Sequence, residues 1–445
     1  MTEPLVVGEV VEVEVGPVAH GGHCIARHGP EQLVLFVRHT VPGERVRARV
    51  TEVGPQGRYL RADAVEVLTP SPDRVEAPCP YAGPGLCGGC DWQHVELAAQ
   101  RRLKTAVVVE QLQRLGGLSE EEIERLGVEC EAVPGDAHGL RWRTRVEFAV
   151  GTDAPDGSRT PVGLRAHRSH DVVPLDDCLI AAPDVVATGV LQVPPPEGVV
   201  AVEVVAPSAG EAVVVALGLP DSGRGRRRPA RRGASRRGTR QAPRPVRPVP
   251  EVTERVALED GTHHDYRLSA RGFWQVHPGA AATFTQQVLR WLEPRPGERA
   301  LDLYSGVGLF AVPLAEAVGD SGWVLAVEAD QEATRSARAH LAPYPWAEAV
   351  AEPTERALER LVAAGERVDV VVLDPPRTGA GRGVVQSLAA LRPRAVVYVA
   401  CDPAALARDV ATARDAGLEL VALRALDAFP MTHHVECLAL LRPHG

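Results

Sequence analysis

From residue 272 onward the sequence repeats one pattern. Apolar runs of strand length (ERALDLY, WVLAVEAD, VDVVVLDPP, RAVVYVACDP and LELVALRALD) alternate with segments of helical periodicity, and HHVECLALLRP supplies a last strand. Apolar strands separated by helices point to a parallel sheet covered on both faces. The expected fold class is therefore α/β, with a doubly wound, Rossmann-like domain at the C-terminal end. Ligands of such sheets bind outside the carboxyl ends of the strands, so the strand ends are where chemistry is to be sought.

The first of those ends, Leu301-Asp-Leu-Tyr-Ser-Gly-Val-Gly-Leu-Phe310, reads as strand, glycine turn and helix. Gly306 lets the backbone pass close to a ligand there. Gly306, Gly308 and Ala311 also fit the dinucleotide pattern G-x-G-x-x-A, so an oxidoreductase is a rival reading. Glu328 ends the second strand, where an acid accepts hydrogen bonds from ribose hydroxyls of either cofactor. The ends Asp374-Pro375-Pro376 and Ala400-Cys401-Asp402-Pro403 tilt the choice toward S-adenosylmethionine, because they put polar groups near an adenine and a reacting centre. Taken singly, each is equally a strand-terminating turn. A thiol at Cys401 and a carboxylate at Glu436, in the last strand, form the pair needed when a thiolate adds to an electron-poor ring carbon and a base later removes a proton. By position alone, a buried structural thiol and a solvent-facing strand residue are the plainer readings of the two.

The rest of the chain divides by pattern. Residues 1–68 hold short Val-rich alternating runs between Gly and Pro turns, as in a small oligonucleotide-binding type barrel. Residues 69–94 form a loop with Cys79-x7-Cys87-Gly-Gly-Cys90, and 95–130 read as helical, with a capping box in SEEE from Ser119. Residues 131–270 return to strands, interrupted at 221–250 by an Arg-rich insertion that has too few apolar residues to fold alone and is expected to be disordered. The net charge of -9 argues mildly against a nucleic-acid partner, but Gly223–Pro250 concentrates arginine and contains no acid. The spacing of the three cysteines suits a soft metal site, zinc or iron–sulfur, with His94 or Cys178 as fourth ligand. No apolar run approaches the roughly 20 residues of a membrane span, and the N-terminus lacks a signal-peptide pattern. A cytoplasmic protein is expected, and a monomer.

Several of these elements together resemble the tRNA/rRNA uracil-5 methyltransferase family. They are FWQVHP (Phe273–Pro278), LDLYSGVGLFA, AVEAD, VVLDPPRTG, YVACDPAALARD and DAFPMTHHVE, in the family's order and covering most of residues 272–441. The N-terminal region resembles the TRAM domain, an RNA-binding barrel. The resemblance implies a methyltransferase domain over 271–445 and an RNA partner, ribosomal RNA before transfer RNA. It implies that Gln275, Tyr304, Glu328 and Asp374 bind S-adenosylmethionine, with Cys401 as nucleophile and Glu436 as general base. It implies a [4Fe-4S] cluster on Cys79, Cys87, Cys90 and Cys178 in place of zinc. One departure stands out. The family commonly has Ser-Cys-Asn-Pro at the nucleophile, whereas this chain has Ala400-Cys401-Asp402-Pro403, with a possible negative charge beside the thiol. A non-catalytic RNA-binding protein is the remaining alternative, against which the intact Cys401 and Glu436 speak.

Overall fold

The computed structural model describes residues 5–151, 161–220 and 242–444. Most of the expected disordered insertion, 221–241, lies outside them; of its remainder, Arg244–Pro245 pair with Leu217 and Gly218 as an edge strand.

Near the N-terminus, the strands Val10–Val18, Cys24–His28, Leu33–Arg38, Arg45–Val53 and Tyr59–Thr69 close into a barrel. Its alternating residues face inward, so Val13, Val15, Leu35, Val37, Val46, Ala48 and Leu60 form a core of their own. A six-stranded antiparallel sheet follows in the order Arg244–Pro245, Val213–Gly218, Val199–Val205, Arg145–Val150, Val162–Arg165, Val172–Pro174. The cysteine loop lies against it. Cys87 bridges to Ala166, and a Cβ on Gly88 would lie 2.8 Å from the His167 backbone.

The C-terminal sheet has eight strands, ordered Ala347–Ala351, Trp323–Glu328, Arg299–Leu303, Val370–Leu373, Ala395–Ala400, Glu436–Pro443, Leu418–Asp427, Cys130–Ala132. Glu436–Pro443 runs antiparallel to both its neighbours; the other pairings are parallel. Helices cover both faces, which gives the mixed α/β class expected. The strand order reverses between Arg299–Leu303 and Val370–Leu373, and that crevice is where an open α/β sheet takes its ligand.

The span read as a central domain, 131–270, gives up both of its ends to the C-terminal domain, one to its sheet and the other as a separate two-stranded hairpin. Cys130–Ala132 becomes the eighth strand. The hairpin Glu251–Ala257/His263–Ser269 docks on the same domain, with the Tyr266 hydroxyl donating to Leu309 O at 3.0 Å and His340 Nε2 accepting from Arg267 N at 2.8 Å. Alternation marks these residues as strands but carries no information about which sheet they join. The helix Leu97–Arg114 packs on the same domain through Lys104, whose ammonium lies 2.5 Å from Asp427 and 3.0 Å from Phe429 O in a fully buried setting. The short helix Glu120–Leu126 starts with the expected capping box between Ser119 and Glu122 and ends on left-handed Gly127. No helix among the described residues is long and apolar enough to cross a membrane.

Candidate active site

Tyr304, Gly306 and Gly308 all have positive φ (59°, 54° and 90°) and form the turn after the first strand. The turn is pinned from the second strand. Glu328 accepts from Gly306 N through Oε2 at 2.9 Å and from Asp330 N through Oε1 at 2.8 Å. Asp302, one strand residue earlier, is completely buried and neither oxygen makes a hydrogen bond of good geometry, although the N–H groups of Phe310 and Ala311 bear on it. Burial first, then the charges of Asp374 and Glu328, push its carboxyl well above the usual range. Sequence reading passed over Asp302; an acid inside the apolar LDLY strand was the available signal. Burial alone raises Asp374 to about 7. Tyr304 is half-buried, its hydroxyl raised to about 12, chiefly by burial. Gln275 is buried within the loop that follows the hairpin. Three acidic side chains, Asp302, Glu328 and Asp374, thus gather at the reversal point of the sheet, and a positively charged ligand there would favour ionisation of the two whose carboxyls burial raises.

Cys401 follows directly on the strand Ala395–Ala400 and stands two residues before the helix Pro403–Asp415, beside its N-cap Asp402, and that N-terminus favours a thiolate. The last strand pairs Cys437 with Ala400 in antiparallel register. Continued by one residue, that register sets Glu436 opposite Cys401. The pair therefore comes together through strand pairing between segments distant in sequence. Burial pushes the Cys401 thiol up to about 12, helped by Glu436, Asp374 and Asp402, while the exposed Arg377 opposes them. Glu436 is buried, its Oε2 has no hydrogen-bond partner among the described residues, and burial followed by Asp374 holds its carboxyl well above the usual range. Burial thus disfavours the charged form of both groups.

Residues 4–65 match the TRAM domain, and residues 250–444 match the tRNA (Uracil-5-)-methyltransferase model. An uncharacterized RNA methyltransferase of Streptomyces coelicolor is 49% identical, over 100% of this chain and 95% of that protein. The 23S rRNA (uracil(1939)-C(5))-methyltransferase of Shewanella sp. strain ANA-3 is 31% identical, over 95% of this chain and 93% of its own length. The chain belongs to the tRNA (uracil-5-)-methyltransferase family. It is an enzyme of the RNA (uracil-5-)-methyltransferase class, dependent on S-adenosylmethionine. Among solved structures, a Pyrococcus abyssi tRNA (uracil-54, C5)-methyltransferase in complex with S-adenosyl-L-homocysteine shares the fold, with a TM-score of 0.65 at 22% identity over 96% of this chain and 99% of that one. The family boundary at 250 agrees with the docking of the hairpin Glu251–Ser269 on the catalytic domain.

The four cysteines of the methyltransferase's second candidate site come from two segments. Cys79, Cys87 and Cys90 lie in the loop after the barrel; Cys178 lies beyond the strand Val172–Pro174. Tyr81 ties the segments, its hydroxyl donating to Asp176 Oδ2 and accepting from Asp176 N, both at 3.0 Å. Arg141 grips Asp177, beside Cys178, with two bonds of 2.9 and 2.5 Å. All four thiols are raised by burial, Cys87 to about 11, and Cys87 and Cys90 are raised further by their sister thiols. N–H groups aim at the sulfurs: Gly89 N at Cys87 and Gln93 Nε2 at Cys90, each 3.4 Å away. Among the described residues, however, no three His, Cys, Asp or Glu side chains are disposed to hold a single metal ion.

Proposed function

We propose that the methyltransferase acts on C5 of one uridine in 23S ribosomal RNA, in the cytoplasm and as a monomer, with Cys401 as nucleophile and Glu436 as general base. The observation that carries the mechanism is the strand register that sets a half-buried thiol opposite a buried carboxyl with an unpartnered oxygen. Uracil C5 is too weak a nucleophile to take a methyl group unaided. The Cys401 thiolate adds to C6, forming the S–C6 bond and shifting the C5–C6 π pair into an enolate. S-adenosylmethionine, with Gln275, Tyr304, Gly306, Glu328 and Asp374 as the residues that would hold it, supplies a methyl group on a positively charged sulfonium. C5 takes that methyl as the S–CH3 bond breaks, its electron pair staying on sulfur, which leaves as the neutral thioether S-adenosylhomocysteine. Glu436 then removes the C5 proton, the C5–C6 double bond re-forms, and the thiolate of Cys401 is expelled. The uridine must leave its stack to reach a thiol at this depth. Asp302, a buried acid beside the glycine turn whose carboxyl burial raises, would ionise more readily with a cationic methyl donor beside it.

Ribosomal RNA is preferred because a relative alike over almost its whole length is named for 23S rRNA; transfer RNA is the second reading, favoured by the shared fold of the archaeal enzyme. Mapping 5-methyluridine in ribosomal and transfer RNA from cells with and without this gene decides between them. Loss of no such mark in either RNA would overturn the reading. The four cysteines are proposed to hold a [4Fe-4S] cluster. Support comes from the tie between their two segments through Tyr81 and Asp176, the raised pKa of each thiol, which a cation would lower, and the N–H groups directed at sulfur. The cluster would brace the cysteine loop; the methyl transfer needs no electrons from it. Anaerobically purified protein should be brown and contain about four irons, whereas colourless, zinc-loaded protein would refute the assignment.

A further inference from the structure

We propose that His20 is a positioning residue for the methyltransferase: reaching over from the barrel, it neutralises Asp402 and so keeps the neighbouring Cys401 able to act as a thiolate. The inference rests on the reading of Cys401 as nucleophile.

Position 402 must supply an N-cap acceptor for the helix Pro403–Asp415, and Asp402 does so through Oδ1, which accepts from Ala405 N at 2.8 Å. An asparagine would cap equally well without a charge. Aspartate brings a full negative charge to the residue next to the thiol, which disfavours a thiolate. The oxygen the helix leaves free, Oδ2, lies 3.0 Å from His20 Nε2. His20 belongs to the turn between Val10–Val18 and Cys24–His28, at the far end of the chain from the helix it meets.

This turn is not casually placed. Gly22 has φ +80°, and a Cβ there would stand 2.6 Å from the His433 Cβ. Its carbonyl accepts from Trp92 Nε1 at 3.1 Å. The barrel is thus seated against the catalytic loop with no room for a side chain, and His20 is carried to the nucleophile helix by that seating. The groups facing the pair are Glu110 on the helix Leu97–Arg114 and Arg408 on the nucleophile's own helix. Those facing Cys401 are Glu436, Asp374, Asp402 and Arg377. Asp402 raises the His20 pKa, and His20 does more than Arg408 to hold the Asp402 carboxyl below its usual range. Below its raised pKa, His20 is a cation and cancels the Asp402 charge. Above it, the hydrogen bond can persist but the cancellation is lost.

The test reads the thiol directly. Alkylation of Cys401 by iodoacetamide is followed by peptide mass spectrometry between about pH 6 and 9, in the full-length protein, for wild type, His20→Gln, Asp402→Asn and the double variant. His20→Gln keeps a donor but removes the charge. It should slow alkylation near neutral pH about threefold, moving the curve about half a pH unit alkaline. The difference should shrink as wild-type His20 loses its own proton. In the Asp402→Asn background, the same His20 substitution should do nothing. An unmoved curve for His20→Gln would overturn the proposal, and so would an equal shift in both backgrounds, which would mean a loosened barrel. Methylation by Cys401→Ser, measured alongside, tests the nucleophile separately: full activity there would remove that reading while leaving the alkylation result to stand on its own.

Discussion

Replacing Glu436 by glutamine should stall the enzyme after methyl transfer, with little cost to the fold. The side chain is 4% exposed, Oε2 has no partner among the described residues, and burial raises the carboxyl above its usual range. An amide of the same shape replaces an acid whose charged form burial already disfavours, and stability should change by no more than about 1 kcal/mol. Thiolate addition and methyl transfer need no base at C5; elimination does. A positioned base contributes about 10²–10⁴ in rate, or roughly 3–5 kcal/mol of barrier at about 1.4 kcal/mol per decade. Glu436→Gln should incorporate about one methyl per enzyme in its first turnover and then fall 10²–10⁴-fold in steady state. Covalent enzyme–RNA complex should accumulate, seen as a shifted band on a denaturing gel with labelled RNA and labelled methyl donor. Steady-state turnover within about tenfold of wild type would refute the role. So would loss of the first turnover without adduct in a variant of unchanged melting temperature, because it would place Glu436 at an earlier step.

Three further outcomes follow from the packing around that residue. Lys104→Met leaves the buried Asp427 with only the longer contact to Arg101, 3.6 Å away, and should cost about 3–5 kcal/mol in urea unfolding, much of it recovered when Asp427→Leu is added. Burial depresses His23 and His94 to about 4 each. Between that value and their unfolded pKa near 6.5 the unfolded chain binds more protons, so stability falls as pH drops through this window. The loss at pH 5 should be about 2 kcal/mol per histidine, read as a lower urea midpoint than at pH 7. Gly22→Ala adds a Cβ where His433 already stands and at a positive φ, and should cost about 1–3 kcal/mol. Methylation should weaken in that variant while far-ultraviolet circular dichroism stays unchanged.

The doubly wound sheet was legible because its strands are apolar runs bounded by helices, and the glycine turn because Gly306 and Gly308 occupy positive-φ positions. The capping box at Ser119 was legible for a similar reason, since it depends on residues three apart. What escaped was decided by pairing at long range. Ala347–Ala351 has almost no strand signal in sequence and exists as a parallel edge to Trp323–Glu328. Cys130–Ala132 could not be assigned to the catalytic sheet from three residues whose partner lies at Ala425–Asp427. Asp402 was read as an unexplained charge. Its partner, His20, sits in a different domain, and no local pattern could have named it.

The same long-range logic governs Glu436, the proposed general base. Glu436 is reached from Asp427 through the loop Ala428–Val435, and most of what holds that loop comes from the first hundred or so residues of the chain. Met431 O accepts from the backbone N–H groups of Asp91 and Trp92, both at 3.0 Å, and Met431 N donates to Gln100 Oε1 at 2.8 Å. His433 Nδ1 meets Asp91 Oδ2 at 2.6 Å, and Lys104 holds Asp427 and Phe429 O where the loop begins. A catalytic group must be held within about half an ångström of its productive place. Here that precision is supplied by the end of the cysteine loop and the helix after it. The barrel is seated on the same loop at Gly22, so the TRAM barrel and Glu436 share one support. Disturbing the cysteine loop should therefore lower the turnover rate as well as RNA affinity. A loop that served only to recruit RNA would change affinity alone.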